Sequence, residues 1–171
     1  MADQDASNSR RDFLRGAALL ASLGPLVDRL SAAESPSPPA TAPGTAGPAA
    51  VLITGSNRGI GLEFARRYAE RGYRVLATCR NPSSATELQS LAGKFPALTV
   101  ETLDVTDHAG VDALAQKYAE LPIDILLNNA GIGGGGENQM FGKLNYATFD
   151  EVMAVNAVGP IKVCEAFLKH V

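Results

Sequence analysis

Cysteine is scarce in this chain: two residues in 171, Cys79 and Cys164. A disulfide framework in a small chain needs several pairs. No C-x-x-C and no clustered histidine accompanies them, so a zinc-type ligand set is missing too; both read as ordinary, semi-buried residues. Excess basic charge is also lacking. Fifteen Lys+Arg against 18 Asp+Glu give a formal net charge of −3, which excludes the basic stripe of a nucleic-acid-binding surface. No run approaches the roughly 18–20 uninterrupted apolar residues of a membrane helix, and no fixed-period repeat suggests a solenoid. What the chain does have is 46% hydrophobic residues, enough for a sizeable core, and a length that suits one domain of roughly 100–200 residues.

Composition divides the chain. Residues 1–33 hold Arg10-Arg11 followed by Phe13-Leu14, then an uncharged, moderately apolar run over 16–27, then the small residues Ser31-Ala32-Ala33. A basic region, a short apolar region and a small-residue cleavage site make up a secretory signal. The segment resembles a bacterial twin-arginine signal, which a receptor reads and which is not an anchor. That resemblance implies export of a folded protein to the periplasm or beyond; without it the chain would be cytoplasmic. Residues 34–48 hold Pro36, Pro38, Pro39, Pro43 and Pro48 among Ser, Thr, Ala and Gly. They read as a linker with too little apolar surface to fold.

From residue 49 to 171 short apolar runs alternate with helical periodicity. Strands are expected over 49–54, 74–79, 98–103 and 123–127. Helices are expected over 60–71, 84–91, 111–121 and from about Phe149 to the end. Ile60, Phe64 and Tyr68 share one face of the first helix. Val111, Leu114, Ala115 and Tyr118 point inward from the third, and Val152, Met153, Asn156, Val163 and Phe167 lie near one face of the last. Strands separated by helices build parallel, right-handed β-α-β units. The expected fold class is therefore α/β, a doubly wound parallel sheet of Rossmann type with the first strand near its centre. Ligands bind such a sheet beyond the carboxyl ends of its strands.

The chemistry falls on that edge. Thr54-Gly55-Ser56-Asn57-Arg58-Gly59-Ile60-Gly61 joins the first strand to its helix, with glycines spaced G-x-x-x-G-x-G. Gly55 allows a tight turn, Gly59 lets backbone approach a pyrophosphate, and Gly61 lets the helix pack close to the sheet. The helix N-terminus offers free N–H groups and a positive dipole end. The strand–turn–helix context is the confirmation that such a glycine pattern requires.

These residues resemble the cofactor loop of the short-chain dehydrogenases/reductases. Asn128-Asn129-Ala130-Gly131 resembles that family's N-N-A-G motif after the fourth strand, Asp104-Val105 its acidic position after the third, and Asn156 its helix asparagine. The four motifs occur in family order over 51–171. Ala77-Thr78-Cys79-Arg80-Asn81-Pro82 and Leu103-Asp104-Val105-Thr106-Asp107 are most similar to the sniffer-like carbonyl reductases. The resemblance implies that residues 54–61 hold the dinucleotide, Asp104 and Val105 contact its adenine end, and Asn128 to Gly131 line its groove. It implies that Asn156 anchors a water in a proton relay. The implied reaction is hydride transfer between nicotinamide and a small carbonyl or alcohol, in a protein that could self-associate when complete.

Charge points to NADP rather than NAD. NAD sites usually place Asp or Glu at the end of the second strand, on the ribose 2′-OH. Here stand Thr78-Cys79-Arg80, and Arg80 with Arg58 suits a 2′-phosphate. The absent carboxylate also argues against a methyltransferase, and the glycine spacing against a sugar-nucleotide epimerase. The family's catalytic Tyr-x-x-x-Lys is not found: four residues after Tyr68, Tyr73, Tyr118 and Tyr146 stand Gly72, Ala77, Pro122 and Asp150. No serine follows Asn156. The expectation is the N-terminal part of a longer reductase, ending inside a helix. Its fourth strand and last helix would lack a covering neighbour, which leaves it prone to aggregate. The rival is an NADP-binding module without turnover.

Overall fold

The computed structural model describes residues 47–171. The signal-like segment and nearly all of the proline-rich linker lie outside the described residues. Four strands, β1 (Ala50–Ile53), β2 (Arg74–Cys79), β3 (Leu98–Thr102) and β4 (Ile125–Leu127), form one parallel sheet in the order β3-β2-β1-β4. The helices are α1 (Gly59–Glu70), α2 (Thr86–Lys94), α3 (His108–Lys117), α4 (Tyr146–Met153) and α5 (Gly159–Phe167). The chain therefore builds outward from β1 through β2 to β3, then crosses back to place β4 on the other side of β1. This Rossmann-like α/β sheet has its switch point at the carboxyl ends of β1 and β4.

The alternation of side chains along a strand assigns the two faces. Val51, Ile53, Val75 and Ala77 point to one side and are covered by Leu62, Ala65 and Ala69 of α1 and Leu88 and Leu91 of α2. Leu52 and Leu76 point to the other, under Val111, Leu114 and Ala115 of α3 and Val163 and Phe167 of α5. All four residues of β1 are buried, as a central parallel strand requires. At the β3 edge Glu101 accepts from Lys117 Nζ at 2.7 Å and from the Tyr118 hydroxyl at 2.6 Å, tying α3 to the outer strand. Burial, with that carboxylate second, pushes the Tyr118 phenol up to about 12.

Several sequence expectations are corrected. The buried stripe of α1 is Gly61, Leu62, Ala65 and Ala69, not the face of Ile60 and Phe64, both of which are exposed. Small residues let this helix lie close on the sheet, and periodicity of large apolar residues alone misses them. The second helix is broken in two: a 3₁₀ turn at Pro82–Ser84, then α2 after the buried, non-helical Ala85. α3 starts at His108 because Asp107 caps it, its carboxylate accepting from Gly110 N at 3.1 Å. The last helix starts at Tyr146, where Asn145 caps Thr148 N at 3.1 Å. It passes through a π segment at Ala154–Val158 before α5. α5 does have a covering neighbour in α3, and it buries Val163 and Phe167 completely. Its other side exposes Val158, Ile161 and Leu168, and β4 is only half-buried. Cys79 is buried but Cys164 is exposed. Among the described residues no helix is long and apolar enough to cross a membrane.

Candidate functional site

The close approach of two loops makes the site. The Thr54 hydroxyl, almost fully buried, accepts from both Asn129 N and Ala130 N at 3.0 Å and faces Leu127 O at 3.4 Å. Asn129 Nδ2 donates in return to Thr54 O at 3.1 Å and Gly55 O at 3.0 Å. Thr54 and Asn129 thus lace the turn after β1 to the loop after β4. Both belong to the quoted motifs, Thr54 to the cofactor loop and Asn129 to the run 128–131 expected to line the groove; the bonds between them are what the motifs alone do not reveal.

Glycine is required where these loops meet. Gly55 has φ +69°, and a Cβ there would stand 2.7 Å from Ala130 Cα. A Cβ on Gly61 would collide with Gly55 O and Asn129 Nδ2, so its close neighbour is the glycine turn itself and not the sheet. Gly59 has φ +58° with nothing within 4 Å of its Cβ position. There the backbone opens onto a groove of about 620 Å³, with Gly55, Asn57, Arg58, Gly59, Ile60 and Gly61 along one wall.

The groove runs along the carboxyl edge of the sheet. Cys79 lines it at the end of β2, Arg80, Asn81 and Ser84 beyond that strand, Leu103 and Val105 beyond β3, and Asn129 to Ile132 beyond β4, with Val155 from the π segment. Val105 is held by α5, since a Cβ on Gly159 would lie 2.8 Å from Val105 Cγ2. Asn156 clamps the far wall: its Oδ1 accepts from Ile132 N and its Nδ2 donates to Ile132 O, both at 2.9 Å. A π segment re-aims side chains relative to an unbroken helix, and here it carries both Val155 and Asn156.

Three predicted residues stand elsewhere. Ser56 is buried; its hydroxyl donates to Ile53 O at 2.9 Å and its N–H to Thr78 O at 2.8 Å, so it builds the turn rather than the wall. Asp104 turns its carboxylate to Thr106, whose hydroxyl and N–H donate at 2.7 and 2.9 Å. Those bonds, with a smaller contribution from the Arg80 charge, hold its pKa below the usual value. Asn128 is exposed and its amide donates to Cys164 Sγ at 3.2 Å, facing α5 instead of the groove. Motif spacing identifies positions in the chain but not the direction in which each side chain points. Within the glycine run at 133–136, Gly134 is buried, and a Cβ there would lie 3.0 Å from Val152 Cγ2.

Electrostatically the groove favours an anion. Arg58 caps α1 without any side-chain hydrogen bond, and no acidic residue sits in the first turn. The N–H groups of Gly59, Ile60 and Gly61 have no protein acceptor among the described residues. Such N–H groups and the dipole end together bind phosphate. Arg58 and Arg80 are exposed and in no ion pair among the described residues. The residues present therefore fit a dinucleotide: uncapped N–H groups at a glycine cradle, guanidinium groups at one end, and an apolar wall of Leu103, Val105 and Ile132. Cys79 forms part of the floor, and burial pushes its thiol up, so it is a poor nucleophile.

A family model described as short chain dehydrogenase matches residues 49–171. The chain belongs to the short-chain dehydrogenase family. It is 34% identical over 143 residues to (+)-neomenthol dehydrogenase of Arabidopsis thaliana, covering 71% of this chain and 48% of that protein. It superposes with a TM-score of 0.65 and 34% identity on the crystal structure of NADPH-bound carbonyl reductase from chicken fatty liver, covering 72% of this chain and 52% of that one. A carbonyl reductase of Pseudomonas aeruginosa PAO1 in complex with NADP gives a TM-score of 0.66 at 30% identity, with 72% and 56% covered. This short-chain dehydrogenase chain thus spans about half the length of the relatives it matches.

Proposed function

We propose that the protein to which this chain belongs is an NADP-dependent carbonyl reductase, transferring hydride between nicotinamide and a small carbonyl or alcohol. The observation that carries the reading is the end of β2. Arg80 stands there with no carboxylate beside it in sequence, and it shares a groove with Arg58 and the uncapped N-terminus of α1. The α1 N–H groups would hold the pyrophosphate, and the two guanidinium groups the ribose 2′-phosphate. Asp104, turned to Thr106, and Val105 would sit by the adenine end. When bound, the cofactor supplies the hydride. Asn156, through Ile132, keeps the far wall in place and would anchor the water of a proton relay. Likeness to carbonyl reductases with NADPH or NADP bound supports this reading; the sniffer-like subgroup rests on residues 77–82 and 103–107 alone.

Replacing Arg80 by Asp tests the cofactor preference. Charge-assisted bonds contribute about 1.5–3 kcal/mol. R80D should therefore weaken NADPH binding about 10- to 100-fold, read by nucleotide fluorescence, while NADH binding holds or improves. Equal loss for both nucleotides would argue against a 2′-phosphate at Arg80. The hydride-transfer step is tested on the reading frame beyond the codon for Val171. Codons supplying a Ser and a Tyr-x-x-x-Lys should yield NADPH-dependent carbonyl reduction. A stop codon there would favour the second reading, NADP binding without turnover.

We further propose export by the twin-arginine route, supported by Arg10-Arg11 and the apolar run that follows. Replacing the pair by Lys-Lys should leave the precursor in the cytoplasm, as fractionation and immunoblotting would show; unchanged export would end this reading.

A further inference from the structure

The groove is made by residues far apart in the chain. Thr54 is laced to Asn129 and Ala130 across about seventy-five residues. Gly61 lies against Gly55 O and Asn129 Nδ2, and Asn156 holds Ile132 by two bonds. β1, the first strand of the described residues, is interior to the sheet between β2 and β4, and all four of its residues are buried. A chain drawn out from its N-terminus would lose β1 first, and with it the sheet and the groove. The dinucleotide site therefore exists only in the folded domain.

The N-terminal segment is a second, independent observation. Arg10-Arg11 and the apolar run over 16–27 suit a route that carries folded proteins. A dinucleotide has several ionised phosphates, and ionised groups are strongly disfavoured in hydrocarbon. It does not follow the protein across a membrane unaided. A groove that is complete before export can be filled before export.

We propose that the groove is loaded before export, that the dinucleotide crosses with the folded chain as a resident group, and that each carbonyl reduction is then matched, in the same groove, by oxidation of a second alcohol. This rests on the NADP and export readings above. The second alcohol loses a hydride from its carbinol carbon and a proton from its hydroxyl, and becomes a carbonyl. The carbonyl substrate gains one hydride and one proton, and becomes an alcohol. Two electrons and two protons pass between the substrates, and no free NADPH is consumed. The part of this chain is retention. The N–H groups at the start of α1 and the exposed Arg58 and Arg80 hold the phosphates. The bonds between Thr54 and Asn129 keep the cradle closed behind them.

The test uses the full chain with its N-terminal segment, made in a bacterium that has a twin-arginine route and an isotopically labelled nicotinamide pool. The protein is purified in excess unlabelled NADP, and its bound nucleotide is released by denaturation and counted. Exported protein should carry labelled NADP(H) in equimolar amount, as should R10K/R11K protein held in the cytoplasm. Exported protein that is empty, or that carries only unlabelled NADP, overturns the proposal; the NADP reading stands if either protein takes up NADP. Protein that takes up none from either compartment ends that reading and the proposal together. Export unaffected by R10K/R11K ends the export reading, and the proposal with it. The coupled reaction is read on the product of the complete reading frame. Exported, and given no nucleotide, it should turn over an alcohol–carbonyl pair repeatedly and a carbonyl alone at most once. A need for added NADPH at every turnover overturns the proposal even where the label is retained.

Discussion

Thr54→Val should destabilise the domain by about 2–4 kcal/mol and abolish tight dinucleotide binding with it. Valine keeps the shape of threonine, so the nearly fully buried site gains no cavity. What disappears is the oxygen that accepts from Asn129 N and Ala130 N, both at 3.0 Å. Stranding a buried donor costs about 1–3 kcal/mol; two donors are stranded here, both half-buried, which keeps the sum toward the lower end of that range doubled. Against a total stability of about 5–15 kcal/mol, that is a large share. The loop after β4 would lose its anchor to β1, and with it the wall running from Ala130 to Ile132. Thr54→Ser keeps the oxygen and removes one methyl, a loss of about 0.8 kcal/mol. Urea unfolding of the two variants separates the hydroxyl from the volume. If Thr54→Val proves no less stable than Thr54→Ser, the two-donor account is wrong.

Much of the fold could be read from residue patterns, and the reasons are physical. Each strand is an apolar run between a helix stop and a turn, and residues 74–79 were expected as the strand that forms. Parallel pairing follows from intervening helices, and so does the central place of β1. Helix starts were harder. Asp107 and Asn145 are ordinary polar residues until their carboxylate and amide oxygens meet Gly110 N and Thr148 N. The inward face of α1 was misread because Gly61, Ala65 and Ala69 carry little hydrophobicity of their own. Their burial reflects how closely a helix of small residues can approach β1.

The candidate site divides in the same way. Glycine spacing found the cradle, since backbone shape at Gly55, Gly59 and Gly61 is a property of the residue type. Side-chain direction is not. Ser56 and Asn128 occupy motif positions but point into the turn and toward α5, and Asp104 turns to its own Thr106. Conversely, Cys79, Asn81, Ser84 and Val155 reach the groove because β2, the turn after it and the π segment end on one edge of the sheet. That convergence is set by topology across more than seventy residues of chain, and no local pattern carries it.

Gly61→Ala is also expected to damage both stability and binding, by a different route. In most helices this change is favourable, because alanine exceeds glycine in helix propensity by about 1 kcal/mol. Gly93 in α2 is such a position: nothing lies within 4 Å of its Cβ site, and Gly93→Ala should raise stability by up to that amount. Gly59 is intermediate. Its surroundings are open, but φ is +58°, and a left-handed conformation costs an ordinary residue about 1–2 kcal/mol. At Gly61 the added carbon would meet Gly55 O and Asn129 Nδ2, which are themselves hydrogen-bonded at 3.0 Å. Gly55 O belongs to the backbone of a turn pinned by Ala130, so it cannot rotate away. Overpacking costs about 1–3 kcal/mol, and breaking the Asn129 bond adds about 1 kcal/mol. After the gain in helix propensity, the net loss is about 1–3 kcal/mol in stability. Binding suffers further, because the displaced turn carries the N–H groups that would hold the pyrophosphate. Thermal unfolding should rank the variants Gly93→Ala above wild type, then Gly59→Ala, then Gly61→Ala. Nucleotide titration of Gly61→Ala should show more than a tenfold loss for NADPH and NADH alike, because the pyrophosphate is common to both. A Gly61→Ala protein that keeps wild-type affinity would mean that α1 can shift along the sheet without disturbing the cradle, and that the contact between Gly61 and the glycine turn does not set the site.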